Sequence, residues 1–352
     1  MNFSTGFYKK VSRSFIFNRH ITLKKFFNLL KCLYYFLFSK SGFIKAYPVR
    51  MTIDTGNICN LKCPFCPTGI GRPTRSKNFL NYDCFKKVAD EVKDYLYSVD
   101  LYNWGEPFLN PDIFRMIRYL KDSNIQVNLN SNLNTLKKED MGRVVDSGLD
   151  ELKVSIDGAS QESYSKYRIN GDFDIVMTNL KELIRIKKER HVNHPVVAWQ
   201  FLIMRHNEGE MREARRLAKE IGVDEIEFRP MRTCMGVENL MKDALKIKAL
   251  EGWLPVDERY SRYDYKNLRR KDTGLGCLFL KTTMVINADG SVSPCCGVYD
   301  EKWDFGNVFK DGVMNVWNNA RYQQARKAVA GRDGSDKSLI CSYCIENGFI
   351  EY

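Results

Sequence analysis

Residues 59–66 of the chain read CNLKCPFC, and this stretch decides how the rest of the sequence is interpreted. It follows residues 49–54 (VRMTID), a short run rich in apolar and β-branched side chains that predicts a strand. In folds built on parallel strands, functional residues gather at the carboxyl ends of those strands. Three cysteines in a tight loop at such a position, Cys59, Cys63 and Cys66, therefore indicate a metal centre.

The number of cysteines in the loop indicates which metal centre it holds. A [4Fe–4S] cluster bound only by protein takes four thiolates, so a loop that offers three leaves one iron open to another ligand. A structural zinc ion would need a fourth ligand close by. The next cysteine, Cys84, falls inside a predicted helix over 81–97. An iron–sulfur loop is therefore favoured, and a zinc site stays as the alternative.

Downstream of the loop, apolar strand-like runs alternate with patterns of helical period. We predict strands over 49–54, 98–103, 125–130, 149–156, 196–204 and 224–230, with helices between them. Strands that alternate with helices imply a parallel sheet with right-handed crossovers. The periodicity alone does not decide whether that sheet closes into a barrel.

The C-x3-C-x2-C loop at a strand end resembles the radical S-adenosylmethionine (SAM) superfamily. That resemblance implies an α/β fold with a partial (β/α)6 TIM-like barrel, here over residues 49–234. It also implies that SAM binds the open iron through its amino and carboxylate groups. An external electron donor, such as flavodoxin or ferredoxin, would reduce the cluster, and cleavage of SAM would then give a 5′-deoxyadenosyl radical.

Further positions match the family's SAM-binding motifs one by one. Phe65 stands where an aromatic side chain lies beside the adenine. Residues 103–107 (NWGEP) resemble the G-G-E-P motif that receives the amino group of SAM, with Trp104 in place of the first glycine. Gly105 lets the backbone approach a ligand, Glu106 offers an acceptor for an ammonium group, and Pro107 holds Glu106 extended.

Polar residues at the next two strand ends extend this map of the SAM site. Ser131 ends the third predicted strand, and Ser155 and Asp157 end the fourth. By resemblance they meet the ribose and carboxylate of SAM, although Ser155 and Asp157 would also suit an ordinary helix cap or turn. Arg168, in residues 167–173 (YRINGDF), is the candidate partner of the SAM carboxylate, because a guanidinium can bind a carboxylate through two hydrogen bonds.

A second set of cysteines lies near the C-terminus. It surrounds and follows a predicted hairpin over 282–294 and comprises Cys277, Cys295, Cys341 and Cys344. This pattern resembles the SPASM and twitch extensions of radical SAM enzymes, which implies one auxiliary [4Fe–4S] cluster in a small α+β domain over 277–352. Cys296 adjoins Cys295, and the spacing from Gly290 favours Cys295 as the ligand. A four-cysteine zinc ribbon is the alternative.

The net charge of +12 is concentrated at the N-terminus. Residues 1–53 contain ten Lys and Arg and no Asp or Glu, so the rest of the chain is nearly neutral, which argues against a nucleic-acid-binding body. We expect residues 1–48 to form either a helix packed on the barrel with its lysines in water or a contact with an anionic membrane surface. No run of about 18 apolar residues and no secretory signal is present, so a cytoplasmic location is expected, at most peripheral to the inner face of the membrane.

Cys234 follows the last barrel strand and by resemblance would donate a hydrogen atom to a substrate radical, although a packed spectator thiol is the alternative. Residues 235–276 are irregular and suggest a linker or lid. From these features we expect an oxidoreductase of dehydrogenase or epimerase type that acts on a carbohydrate-type small molecule, or on a lipid-linked one if the N-terminus binds membrane. A peptide-modifying maturase is the alternative, followed by a non-catalytic zinc protein.

Overall fold

A computed structural model gives the structure of residues 20–38, 42–231, 252–266, 269–271, 277, 279–331 and 333–346. Ten strands are assigned within these residues: β1 Arg50–Ile53, β2 Ser98–Asp100, β3 Gln126–Ser131, β4 Glu151–Ser155, β5 Val196–Ile203, β6 Glu225–Pro230, β7 Tyr263–Asp264, β8 Arg269–Arg270, β9 Thr283–Ile286 and β10 Val292–Ser293. Cys234 and most of the predicted linker lie outside the described residues.

Twelve α-helices are assigned in the same ranges. Seven belong to the N-terminal part and the barrel: α1 Leu23–Leu37, α2 Tyr82–Val92, α3 Ile113–Asp122, α4 Met141–Asp146, α5 Gln161–Tyr167, α6 Phe173–Glu189 and α7 Met211–Ile221. Five follow: α8 Phe279–Thr282, α9 Val308–Asp311, α10 Val313–Trp317, α11 Ala320–Gly331 and α12 Ile340–Glu346. None of the described helices is long and apolar enough to cross a membrane.

The main sheet has the order β10-β9-β1-β2-β3-β4-β5-β6. Strands β1 to β6 are neighbours in chain order and parallel throughout, as the βα alternation predicts. The outer strands β10 and β6 do not pair with each other, so the described sheet is open. The predicted fold class, an α/β partial barrel with a small C-terminal α+β region, is confirmed.

The predicted barrel elements form for the local reasons that the sequence suggests. Asn81 caps α2, since its side chain accepts hydrogen bonds from the backbone N–H groups of Asp83 and Cys84. Helix α6 turns Val176, Leu180 and Leu183 inward. Residues 313–331 form two helices, α10 and α11, because the chain turns at Asn318 and Asn319 between them.

The C-terminal region is continuous with the barrel rather than appended to it. Strand β9 pairs in parallel with β1, with Ile53 opposite Ile286, and forms an antiparallel hairpin with β10. Gly290, at the turn of that hairpin, has a φ of +82°, in the region that favours glycine. The sequence predicted the hairpin but not its pairing with the first barrel strand, which joins the C-terminal region to the main sheet.

Candidate active site

The three-cysteine loop leaves the carboxyl end of β1, as predicted. It is closed by a hydrogen bond from the Cys66 N–H to the Cys63 carbonyl (3.1 Å) and tied to the segment after α5 by one from Lys62 N–H to the Ile169 carbonyl (3.0 Å). The three thiols are close enough to influence one another's ionisation. Burial raises the pKa of Cys59 to about 12 and also raises that of Cys63.

The segment 105–107 lies directly on this loop. A Cβ atom on Gly105 would stand 1.7 Å from the carbonyl oxygen of Gly56, so only glycine fits there. The N–H of Glu106 donates to the carbonyl of Ile58 at 2.9 Å. The motif that resembles G-E-P therefore fixes the course of the chain into Cys59.

Asp54 stabilises the contact between Gly105 and Gly56 and was not among the predicted site residues. Its buried carboxylate accepts hydrogen bonds from the N–H groups of Gly56, Trp104 and Gly105. Burial nevertheless raises the pKa of Asp54 to about 7, and its Oδ2 atom has no hydrogen-bond partner. Only its place at the end of the first strand could have pointed to it.

The carboxylate of Glu106 is buried and holds the ends of β2 and β3 together. Oε1 accepts hydrogen bonds from Ser131 Oγ (2.7 Å) and Phe108 N–H (3.2 Å), and Oε2 accepts one from Asn132 N–H (2.8 Å). Pro107 begins the short 3-10 helix that follows. The predicted contact of Glu106 with the ammonium group of SAM would therefore use the carboxylate lone pairs that these three protein donors do not occupy.

Arg168 lies beside the cysteine loop. Its Nε donates to Asp157 Oδ2 at 2.6 Å, and its Nη1 lies 3.8 Å from Cys63 Sγ. The other oxygen of Asp157 accepts the Leu202 N–H at 2.7 Å. Asp157 thus positions the guanidinium, while Ser155 donates to Asn130 Oδ1 at 2.9 Å, and both stay predictions as SAM-binding residues.

An aromatic cluster covers the loop. Phe65 stacks on Tyr167 with ring centroids 6.4 Å apart, and the edge of Trp253 meets Phe65 at 5.3 Å and Tyr167 at 6.0 Å. His206 contacts Trp253 at 5.6 Å. The sequence predicted Phe65 here but not Trp253, which comes from the predicted linker or lid and whose place no spacing could have given.

The second cysteine set also comes together. Ionisation of Cys341 is disfavoured by burial and then by Cys277, Cys344 and Cys295 nearby, so the four thiols share one neighbourhood. Burial likewise raises the pKa of Cys277 and of Cys295. Cys296, the alternative ligand, also lies near this set, since its charge raises the pKa of Cys277 and of Cys295. Its carbonyl oxygen accepts a hydrogen bond from the Asn103 amide at 3.2 Å.

Side chains that follow the first cysteine loop bind the C-terminal region. Arg75 donates to both carboxylate oxygens of Asp304 and to the carbonyl of Tyr299. Arg72 and Thr74 bind Asp300. The Trp104 ring meets Tyr299 edge-on at 5.4 Å. The two cysteine sets are therefore held in one hydrogen-bonded frame.

The donor chemistry fits two iron–sulfur centres. Thiolates are the ligands of such clusters, and each cysteine of a cluster binds a different iron rather than converging on one ion. Among the described residues, no group of three or more His, Cys, Asp or Glu side chains is placed to hold a single metal ion. Cys59, Cys63 and Cys66 would hold the first centre, and Cys277, Cys295, Cys341 and Cys344 the second.

Comparison with known proteins agrees with this geometry. Residues 53–218 match the Radical SAM superfamily, and residues 277–345 match the SPASM iron–sulfur cluster-binding domain. The chain belongs to the radical SAM superfamily. Its cofactors are accordingly SAM, a SAM-binding [4Fe–4S] cluster and an auxiliary iron–sulfur cluster.

Curated relatives of this radical SAM protein are distant. It is 25% identical over 302 residues to the mycofactocin maturase MftC of Mycobacterium ulcerans, which covers 82% of this chain and 80% of that protein. It is 29% identical to the AdoMet-dependent heme synthase of Methanosarcina barkeri, but that match covers 47% of this chain and 45% of the synthase.

Among solved structures, Streptococcus suis SuiB bound to the precursor peptide SuiA is similar over 92% of this chain and 80% of that chain. The TM-score is 0.58 and the identity is 14%, which shows the shared fold.

Proposed function

We propose that this protein binds a substrate at the carboxyl end of its barrel and oxidises it by radical chemistry. When bound, SAM and the reduced first cluster would supply a radical that takes a hydrogen atom from the substrate. The auxiliary cluster would accept the second electron while a proton leaves the substrate to water. The observation that carries this proposal is the bonded frame of Arg72, Thr74 and Arg75 on Asp300 and Asp304, which keeps the two cysteine sets at a fixed separation.

The chain's own residues would position SAM and keep water away. Arg168 is fixed by Asp157 and retains N–H groups on its terminal nitrogens for the SAM carboxylate. Gly105 lets the backbone approach the methionine part of SAM, and Glu106 with Ser131 keeps the neighbouring strand ends in place. Phe65 would lie beside the adenine. Cys234, as a hydrogen-atom donor, lies outside the described residues and stays a prediction.

Residues 252–266 would act as the lid over this site. The Arg205 N–H donates to the Trp253 carbonyl at 2.8 Å, and the Glu208 carboxylate accepts the N–H groups of Val256 and Asp257. These hydrogen bonds attach residues 252–266 to the loop after β5, so that Trp253 covers Phe65. A closed aromatic cover excludes water, which protects a reactive radical from side reactions.

A peptide is the substrate class that we favour. MftC is named a maturase, and SuiB was solved with a precursor peptide. These relatives give no support to the carbohydrate-type small molecule that we expected from the sequence. A lipid-linked substrate is also disfavoured, because α1 lies at the opposite end of the barrel from the cysteine loop. Oxidation, rather than epimerisation, is the reaction proposed, with a flavodoxin or ferredoxin as the electron donor.

Reductive cleavage of SAM without substrate tests the core of this proposal. Anaerobically reconstituted protein, incubated with SAM and dithionite, should release 5′-deoxyadenosine, and the variant Cys59→Ala/Cys63→Ala/Cys66→Ala should release none. Cys84→Ala is the matched control, because Cys84 is half-buried and belongs to neither cysteine set. Equal product from the triple variant and the control would refute the proposal. Peptides encoded beside the gene would then be screened by mass spectrometry for the loss of a hydrogen pair.

A further inference from the structure

Helix α1 is packed on the barrel with its polar side inward. Lys25 is 1% exposed, Asn28 4% and Cys32 0%. Leu29 and Tyr35 pack partly against the buried cluster of Cys32. Most of the other large apolar side chains face outward and are each more than 40% exposed: Leu23, Phe26, Phe27, Leu30, Leu33, Tyr34 and Leu37, with Phe38 just after the helix. Their spacing of three and four residues places them on one stripe. We call this stripe the outer face of α1.

The inward polar groups of α1 are satisfied by the barrel. Asn28 exchanges two hydrogen bonds with the backbone of Tyr47, each 3.0 Å long, and Cys32 Sγ lies 3.3 Å from the Tyr47 carbonyl. Lys25 donates to the carbonyl of Asn124, and burial lowers its pKa to about 8. Because these bonds fix the helix, the outer face contributes little to folding. An apolar stripe of this size on a surface helix marks an interaction site.

The position of α1 decides which end of the protein carries this face. Its contacts are Tyr47, just before β1, and Asn124, just before β3. Tyr97, just before β2, belongs to the same buried cluster as Cys32. Helix α1 therefore lies across the amino ends of the strands. The cysteine loop leaves the carboxyl end of β1, so the outer face and the candidate active site are at opposite ends of the barrel.

The positive charge of the N-terminal segment indicates an anionic partner for the outer face. Residues 1–53 carry ten Lys and Arg and no Asp or Glu. Lys31, which follows Leu30 of the outer face, and Lys45, soon after α1, are exposed, whereas Lys25 is buried and Lys24 pairs with Asp94. A helix with an apolar stripe and basic flanks lies in the boundary between lipid headgroups and acyl chains, and each basic residue near an anionic surface strengthens the attraction.

We propose that the outer face of α1 docks on an anionic lipid surface. In this orientation the amino ends of the barrel strands face the bilayer, and the carboxyl ends, which carry the candidate active site, face the aqueous phase. The enzyme would thus be held at a membrane while its substrate and its electron donor reach it from solution. Docking is independent of the reaction, because the outer face of α1 contains no residue of the candidate active site.

Sedimentation with lipid vesicles tests the docking. Full-length protein should sediment with vesicles of phosphatidylcholine and phosphatidylglycerol at low salt. Binding should fall with pure phosphatidylcholine and with about 0.5 M salt, because screening weakens the attraction of exposed charges. Leu33→Gln/Leu37→Gln should lower the bound fraction at least tenfold. The matched control, Ile70→Gln/Ile175→Gln, changes two exposed apolar residues elsewhere and should bind as the unaltered protein does.

Two further measurements separate docking from its alternatives. The Leu33→Gln/Leu37→Gln variant should keep its iron content, its far-UV circular dichroism and its 5′-deoxyadenosine release, which shows that fold and site are intact. Vesicle binding equal to that of the unaltered protein would overturn the proposal. So would an unaltered protein that ignores vesicles and is a dimer by light scattering, while the variant is a monomer, since a second copy would then cover the outer face.

Discussion

The guanidinium of Arg75 donates to both carboxylate oxygens of Asp304, at 2.9 and 2.8 Å, from a side chain that is 2% exposed. Arg75 comes nine residues after Cys66, and Asp304 comes nine after Cys295. Burial raises the pKa of Asp304, while Arg75 opposes that shift. The pair is a buried link between the two cysteine loops. Removal of Arg75 would leave the carboxylate of Asp304 without its ionic partner, whereas Arg75 also lies 3.6 Å from Asp289 Oδ2.

We expect Arg75→Met to destabilise the protein by about 3–5 kcal/mol, the usual result of leaving one buried ionic partner alone. The double variant Arg75→Met/Asp304→Leu should recover much of that loss, because it removes the stranded carboxylate. Anaerobic urea unfolding measures both. Arg259→Met, at an exposed pair with Asp257, is the control and should change little. A single variant as stable as the control would mean that the frame is not held by this pair.

Gly105→Ala should disrupt the first metal centre. The added Cβ would overlap the Gly56 carbonyl oxygen at 1.7 Å. The Cβ is fixed to the Gly105 backbone and the oxygen belongs to the backbone before Cys59, so neither can move without shifting the chain. We expect the variant to lose the first cluster and to keep the auxiliary one, which iron analysis and electron paramagnetic resonance would show. Gly209→Ala is the matched control, because nothing lies within 4 Å of a Cβ there. Full iron content in Gly105→Ala would contradict the contact.

Asp54 should make stability depend on pH near neutrality. Its pKa in the folded protein is about 7, above the ordinary value of 3.8 that applies when it is unfolded. The folded state therefore binds the extra proton. The stability contributed by this group is fully present below pH 3.8, falls above it and levels off once the pH has risen through 7. Between pH 6 and pH 8 the free energy of unfolding should fall by about 1.4 kcal/mol relative to Asp54→Asn. Anaerobic urea titrations at both pH values measure this free energy. An equal change with pH in the unaltered protein and in Asp54→Asn would show that Asp54 does not titrate between pH 6 and pH 8.

The sequence predicted the barrel strands from local periodicity, and it predicted the cysteine sets and the motif 105–107 because these short stretches resemble those of the radical SAM family. It did not predict that β9 pairs with β1, because pairing between distant strands leaves no local pattern. For the same reason Trp253 and Asp54 were missed: each reaches the site only through the tertiary fold. The N-terminal helix shows a further limit. Burial of Lys25 and Asn28, with the apolar stripe outward, reverses the ordinary rule that the apolar side packs inward.

Arg168→Ala should weaken SAM binding without loss of either cluster. The variant gives up a charge-assisted contact with the SAM carboxylate, which corresponds to about 1.5–3 kcal/mol or roughly ten- to a hundredfold in affinity. Anaerobic calorimetry measures that affinity. Arg118→Ala is the control, because Arg118 binds the Asp146 carbonyl on the outer surface of the barrel. Equal affinities for the two variants would remove Arg168 from the SAM site.

Cys295 and Cys296 offer the sharpest test of the auxiliary centre, because they are adjacent and both half-buried. Cys277, Cys344 and Cys295 each add to the effect of burial on the pKa of Cys341, whereas Cys296 acts on the pKa of Cys277 and of Cys295. A ligand lost from a four-thiolate cluster destabilises it, while a thiol outside the cluster can be removed without that effect.

We therefore expect about eight irons per chain in the unaltered protein and in Cys296→Ala, and about four in Cys295→Ala. Iron and sulfide analysis after anaerobic reconstitution gives these numbers, and 5′-deoxyadenosine release should persist in both variants because the first cluster is untouched. If Cys296→Ala loses the four irons and Cys295→Ala keeps them, the ligand is Cys296, and the neighbourhood of Cys341 does not define the cluster.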